Sequence, residues 1–158
     1  MKERLKVVSL DITYKCNFRC RHCYNSSGEH NFNNKELSDE EMIILAKEIA
    51  EYNPDSVCIC GGETLLRKEL VYEIGNILKT CDCSYNIVTN GYLMTDEIAN
   101  KLKKSGYSLV QVSIDGLKEN YEWLRGVEGG FEKAVEAIKC VKRAGLWQQF
   151  HAFHSAEM

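Results

Sequence analysis

The chain has 158 residues, 44% of them apolar and 27% charged, with a formal net charge of -3; this is ordinary globular composition and enough chain for one buried core. The absence of any dense Lys/Arg patch excludes nucleic acid as the main partner, because such binding rests on neutralising phosphates. No apolar run is long enough to span a bilayer, and the start Met1-Lys2-Glu3-Arg4 is no signal peptide, so a cytoplasmic location and no membrane partner are expected.

Apolar strand-like runs alternate with amphipathic helical runs, the pattern of a parallel sheet wrapped by helices. Leu5 to Ile12 reads as the first strand, followed by the run Cys16-Asn17-Phe18-Arg19-Cys20-Arg21-His22-Cys23. Ser38-Asp39-Glu40-Glu41 is a capping box, and Met42, Leu45, Ala46, Ile49 and Ala50 behind it share one helical face before Pro54. Ser56 to Cys60 is a second strand, and Leu70, Ile74, Ile77 and Leu78 stripe a second helix. Tyr85 to Thr89 is a third strand, and Thr95 caps a third helix carrying Ile98, Ala99 and Leu102, stopped at Gly106. Leu109 to Ile114 is a fourth strand. Phe131, Ala134, Val135, Ile138 and Val141 stripe a fourth helix ending at Gly145, and Trp147 to Phe153 begins a fifth strand. The whole is one folding unit, residues 1–158, of α/β class. A closed eight-stranded barrel needs about 250 residues, so the expected architecture is a partial (β/α) barrel, incomplete at the C-terminus.

In such folds the chemistry gathers at the carboxyl ends of the strands, where the βα loops open onto one face. Four loops carry it here. Cys16, Cys20 and Cys23 follow strand one, and Gly61-Gly62-Glu63 follows strand two, with Cys60 beside it. Thr89-Asn90-Gly91 follows strand three, and Ser113-Ile114-Asp115-Gly116 ends strand four. The three cysteines supply three thiolates from one loop, one ligand short of a closed four-coordinate site, and an open position is what reactive metal centres keep. Their spacing fits neither a zinc ribbon nor a bacterial ferredoxin run. Glycines 61 and 62 let backbone approach a ligand closely, and Glu63 can face an ammonium group. Ser113 and Asp115, two apart, suit a ribose or an amino-acid head.

The cysteine run resembles that of the radical S-adenosylmethionine (radical SAM) superfamily, and the order of the other motifs extends the resemblance from about Leu5 to about Gly145. The resemblance implies a 4Fe-4S cluster held by Cys16, Cys20 and Cys23, with its fourth iron left to S-adenosylmethionine. It implies that Gly61-Gly62-Glu63 binds the methionine amine, although Thr64 stands where the family has proline. His22 takes the place of an aromatic beside the adenine, and Arg125 resembles an arginine set against the cofactor's carboxylate, which a guanidinium fork fits. The implied chemistry is reductive cleavage to a 5′-deoxyadenosyl radical that takes hydrogen from substrate. Cys-Arg-His-Cys-Tyr, Val-Ser-Ile-Asp-Gly and Arg125-Gly126 resemble members with SPASM or twitch domains, which modify peptides or mature cofactors. A peptide or small-molecule substrate and an electron donor such as flavodoxin or ferredoxin are therefore the expected partners.

Other readings accompany this one. The three cysteines can form a structural zinc site completed by His22, His30 or Cys60, and the chain can be a non-catalytic iron-sulfur or zinc module or an inactive fragment. Cys58 reads as a small buried hydrophobe. Cys81 and Cys83 fall at the opposite, amino-terminal end of the sheet as reduced thiols, Cys140 reads as packing, and His151 and His154 as ordinary strand or tail residues.

Overall fold

The computed structural model describes residues 6–28 and 36–151, with backbone alone at positions 150 and 151. Five parallel strands form one sheet in the order β1-β2-β3-β4-β5, comprising Val7–Asp11, Ser56–Cys60, Ser84–Thr89, Leu109–Ser113 and Trp147–His151. Each lies within about two residues of its expected span. Helices α1 (Asp39–Tyr52), α2 (Lys68–Leu78), α3 (Asp96–Lys104), α4 (Lys118–Arg125) and α5 (Gly130–Arg143) make the crossovers.

Local chemistry sets the helix ends. Ser38 Oγ accepts from the Glu41 amide while Glu41 returns a carboxylate to the Ser38 amide, completing the capping box. Asn53 closes α1 in a left-handed conformation with Pro54 behind it, and Thr95 Oγ1 accepts from the Ile98 amide to open α3. Helix α4 is an addition to the expected elements. Only Tyr121 and Arg125 are buried along it, so it presents no apolar stripe to reveal it.

Alternation along the strands sorts side chains onto two faces. Leu10, Val57, Ile59, Tyr85, Ile87, Val110 and Val112 are buried in the core shared with the helices, α5 lying on β4 and β5. Cys58, Cys60, Val88, Gln111 and Ser113 occupy the other face, which is only half-buried. The parallel register aligns Cys58 with Asn86 and Leu109, and places Asp11 beside Cys60.

Two expectations about cysteine need correction. Cys81 and Cys83 form a disulfide rather than two free thiols. The turn after α2 brings their Cα atoms to 5.5 Å, within bonding reach. Cys58 is not a buried hydrophobe, because it sits on the half-buried face. Cys140 on α5 is buried as expected. His30 and His154, and the side chain of His151, lie outside the described residues.

Candidate active site

A cavity of about 460 Å³ opens at the carboxyl ends of the strands, a size usual for small-molecule sites. Its walls bring together Cys16, Cys20, His22 and Cys23 from the loop after β1, and Cys60, Gly61 and Gly62 from the end of β2. Asn90, Ser113, Asp115 and Arg125 complete it from the later loops and α4. All the expected site residues but one therefore line a single cavity. Tyr24, Asn25, Cys58, Val88 and Gln111 also line it. The last three were open to discovery from the two-residue period, since they fall on the face of Cys60 and Ser113.

The exception is Glu63, which stands behind the wall at 1% exposure. Its Oε1 accepts from the Leu65 amide at 3.0 Å and from Thr89 Oγ1 at 2.6 Å, and its Oε2 from the Asn90 amide at 2.8 Å. Burial pushes its carboxyl above the ordinary range, against the pull of those donors. Glu63 thus clamps the β2 turn to the end of β3. Thr64, in the proline position, donates its hydroxyl to the Val88 carbonyl at 2.7 Å, a bond proline cannot make.

The diglycine turn is shaped by the neighbouring cysteine loop. Gly61 has φ +143°, and a Cβ there would lie 2.6 Å from the Thr13 carbonyl oxygen; at Gly62 it would lie 2.2 Å from that of Lys15. The Gly62 amide donates to Thr13 O at 2.6 Å and the Glu63 amide to Lys15 O at 2.9 Å. Asn90 Nδ2 adds a third tie, to Asn17 Oδ1 at 2.8 Å. The thiol loop is held by its neighbours.

Each of the three sulfurs has an N–H aimed at it. The Phe18 amide donates to Cys16 Sγ at 3.4 Å, the Ser27 amide to Cys23 Sγ at 3.2 Å, and Arg125 Nη1 faces Cys20 Sγ at 3.9 Å. Burial pushes the Cys16 and Cys20 thiols up, with the Phe18 amide and the Arg125 charge opposing it. A metal centre bound to all three offsets that cost directly, and donors to ligand sulfur are what tune iron-sulfur clusters. Among the described residues, no three Cys, His, Asp or Glu side chains close around one point tightly enough for a single ion. A four-iron cluster, in place of a single ion, would be held by the thiolates of Cys16, Cys20 and Cys23.

Arg125 turns its fork on Asp115, with Nε and Nη2 both 2.5 Å from Oδ2. His22 Nε2 meets the same oxygen at 3.6 Å. Burial pushes the imidazole below its ordinary range, the Asp115 charge opposing. Asp115 Oδ1 is buried and makes no hydrogen bond among the described residues. Below this group, Cys58 and Cys60 bring their sulfurs to 3.3 Å on the same wall. The Cys60 hydrogen bond holds the Cys58 thiol down at about 7 and raises its own.

Residues 10–154 match the profile of the Radical SAM superfamily. The chain belongs to the radical SAM superfamily. It is 34% identical over 145 residues to Fe-coproporphyrin III synthase of Methanosarcina barkeri, covering 92% of this chain and 36% of that protein. To SkfB, the sporulation killing factor maturation protein of Bacillus subtilis, it is 32% identical over 138 residues, 87% of this chain and 33% of that one. The chain thus spans about a third of the length of these curated relatives. Among solved structures, anSMEcpe with bound AdoMet aligns with TM-score 0.74 and 24% identity over 92% of this chain and 43% of that chain. Streptococcus suis SuiB bound to S-adenosylmethionine aligns with TM-score 0.74 and 18% identity over 98% of this chain and 36% of that one. These likenesses show the radical SAM fold, a sheet of parallel strands wrapped by helices.

Proposed function

We propose that this chain is the core of a radical SAM enzyme in which Cys16, Cys20 and Cys23 hold a 4Fe-4S cluster beside bound S-adenosylmethionine. The observation that carries the reading is the trio of thiols on one cavity wall, each with an N–H directed at its sulfur. When bound, the pair supplies reductive cleavage of the sulfonium to a 5′-deoxyadenosyl radical, which takes a hydrogen atom from substrate.

The chain's own groups position and insulate. Gly61 and Gly62 present bare backbone to the methionine head, with Cys60 bordering the turn. Asp115 offers its unused Oδ1 to a ribose hydroxyl, and Arg125 fixes that carboxylate while turning Nη1 toward Cys20. Ser113 and Asn90 line the remaining edge, His22 lies beside the adenine, and Glu63 braces the turn from behind. Substrate is a peptide or a cofactor precursor, two classes supported by the names of the relatives, a peptide-factor maturation protein and a coproporphyrin synthase. The electron comes from a small reductant of the flavodoxin or ferredoxin class, and the expected setting is the cytoplasm.

Anaerobic reconstitution with iron and sulfide, followed by dithionite and S-adenosylmethionine, tests the reading. The expected outcome is close to four irons per chain, and 5′-deoxyadenosine that disappears with Cys20→Ala. Zinc alone in the metal analysis, with no deoxyadenosine, overturns it.

A further inference from the structure

Cys58 and Cys60 are not needed as sulfurs by the function proposed above, yet they are the most closely paired free thiols among the described residues, at 3.3 Å. Their strand is bonded on both sides, to β1 and to β3, so the backbone beneath them is fixed and their two-residue spacing places both on one face. Both line the cavity and are only half-buried, which leaves them open to a ligand. Each sulfur also has a polar neighbour directed at it. Asn86 Nδ2 donates to Cys58 Sγ at 3.4 Å, and Ser9 Oγ to Cys60 Sγ at 3.7 Å. A cysteine that serves as a small hydrophobe has no use for such donors; a coordinating thiolate does, since second-shell hydrogen bonds orient it.

We propose that Cys58 and Cys60 form a second thiol site, separate from the three-cysteine loop, that chelates a thiophilic divalent cation of the zinc class on the cavity wall. Two sulfurs 3.3 Å apart both reach one ion at a bond length of about 2.3 Å. The third donor is Asp11, exposed and in register beside Cys60, one strand spacing of about 4.8 Å away. No three such side chains already meet at a point among the described residues, so the Asp11 carboxylate turns in on binding. The fourth position stays open to water or to a donor atom of the substrate. Coordination releases one proton from each thiol to solvent, two per divalent ion, and no electron changes hands. Cys140 is buried and Cys81 is bonded to Cys83, so the other free thiols open to the cavity are Cys16, Cys20 and Cys23, which the test below removes together.

Cd²⁺ is the probe, counted per chain by equilibrium dialysis without reductant and followed through sulfur-to-cadmium charge-transfer absorption. Cys58→Val and Cys60→Val should each remove one Cd²⁺ per chain. The combined Cys16→Ser, Cys20→Ser and Cys23→Ser variant should keep that ion, and Asp11→Asn should weaken it about tenfold. Equal cadmium content in the unchanged chain and the valine variants overturns the proposal. If circular dichroism shows that the valine variants lose the sheet, alkylation of the unchanged chain decides. Cd²⁺ should then protect Cys58 and Cys60 from iodoacetamide in peptide maps, and unprotected thiols at saturating Cd²⁺ overturn the assignment.

Discussion

Glu63 shows how far a single residue can depart from the role its motif suggests. Read from sequence, its carboxylate faces an ammonium group; in the fold it is enclosed and takes three hydrogen bonds from Leu65, Thr89 and Asn90. Glu63→Gln turns one of those acceptors into an NH₂ pointed at a donor, which costs about 1–3 kcal/mol. At about 2–4 °C per kcal/mol for a chain of this size, the calorimetric melting midpoint should fall by roughly 5 °C, and an unchanged midpoint would show that the clamp is dispensable. The cysteines and the diglycine were legible because spacing alone identifies them. Their hydrogen-bond donors were not, since an amide reaches sulfur only through a loop conformation that composition does not encode. Arg125 is similar: its type fits a carboxylate, but sequence could not show that Asp115, ten residues earlier, already occupies the fork.

At the level of elements, periodicity found every strand and four of the five α-helices among the described residues. Helix α4 escaped because Tyr121 and Arg125, one turn apart, are the only positions it buries; Glu119 in its first turn, Arg125 in its last and Gly126 just past its end were the weaker signals it offered. The turn after β2 was visible as two glycines, although what demands them is the carbonyls of Thr13 and Lys15. Gly62→Ala should therefore force the turn off the thiol loop and cost about 1–3 kcal/mol, as overpacking does. A lower urea midpoint with unchanged slope checks this. Between α3 and α5, Arg143 holds Asp96 at 2.8 Å and keeps its carboxyl below the ordinary range. A depressed carboxyl stabilises above its unfolded pKa and loses that contribution as pH falls through the folded one. Arg143→Ala should accordingly lower the thermal midpoint at neutral pH and match the parent chain in acid; an equal deficit at both would assign the effect to packing.

Over the whole molecule, the strictly sequential strand order was readable, because alternating βα units joined by right-handed crossovers leave few other arrangements. Among the described residues the two outer strands pair on one side only, β1 with β2 and β5 with β4. Hydrogen exchange should rank the amides of β2, β3 and β4 as slowest and those of β5 as fastest among the strands, and uniform protection would mean the outer edge is covered. The assembly of the site was not readable in the same way, since its ties run between loops far apart in sequence. Thr13, Lys15 and Asn17 are tied to groups that come with β2 and β3, and Glu36 adds bonds to Thr13 and Tyr14, so the shape of the thiol loop depends on chain that follows it. Under the proposed function, iron and sulfide would meet a loop already tied to the sheet, unlike small zinc modules that stay unfolded until their ion arrives. Those ties predict that exposing the reconstituted chain to air bleaches its colour while the far-ultraviolet circular dichroism of the sheet and helices stays unchanged.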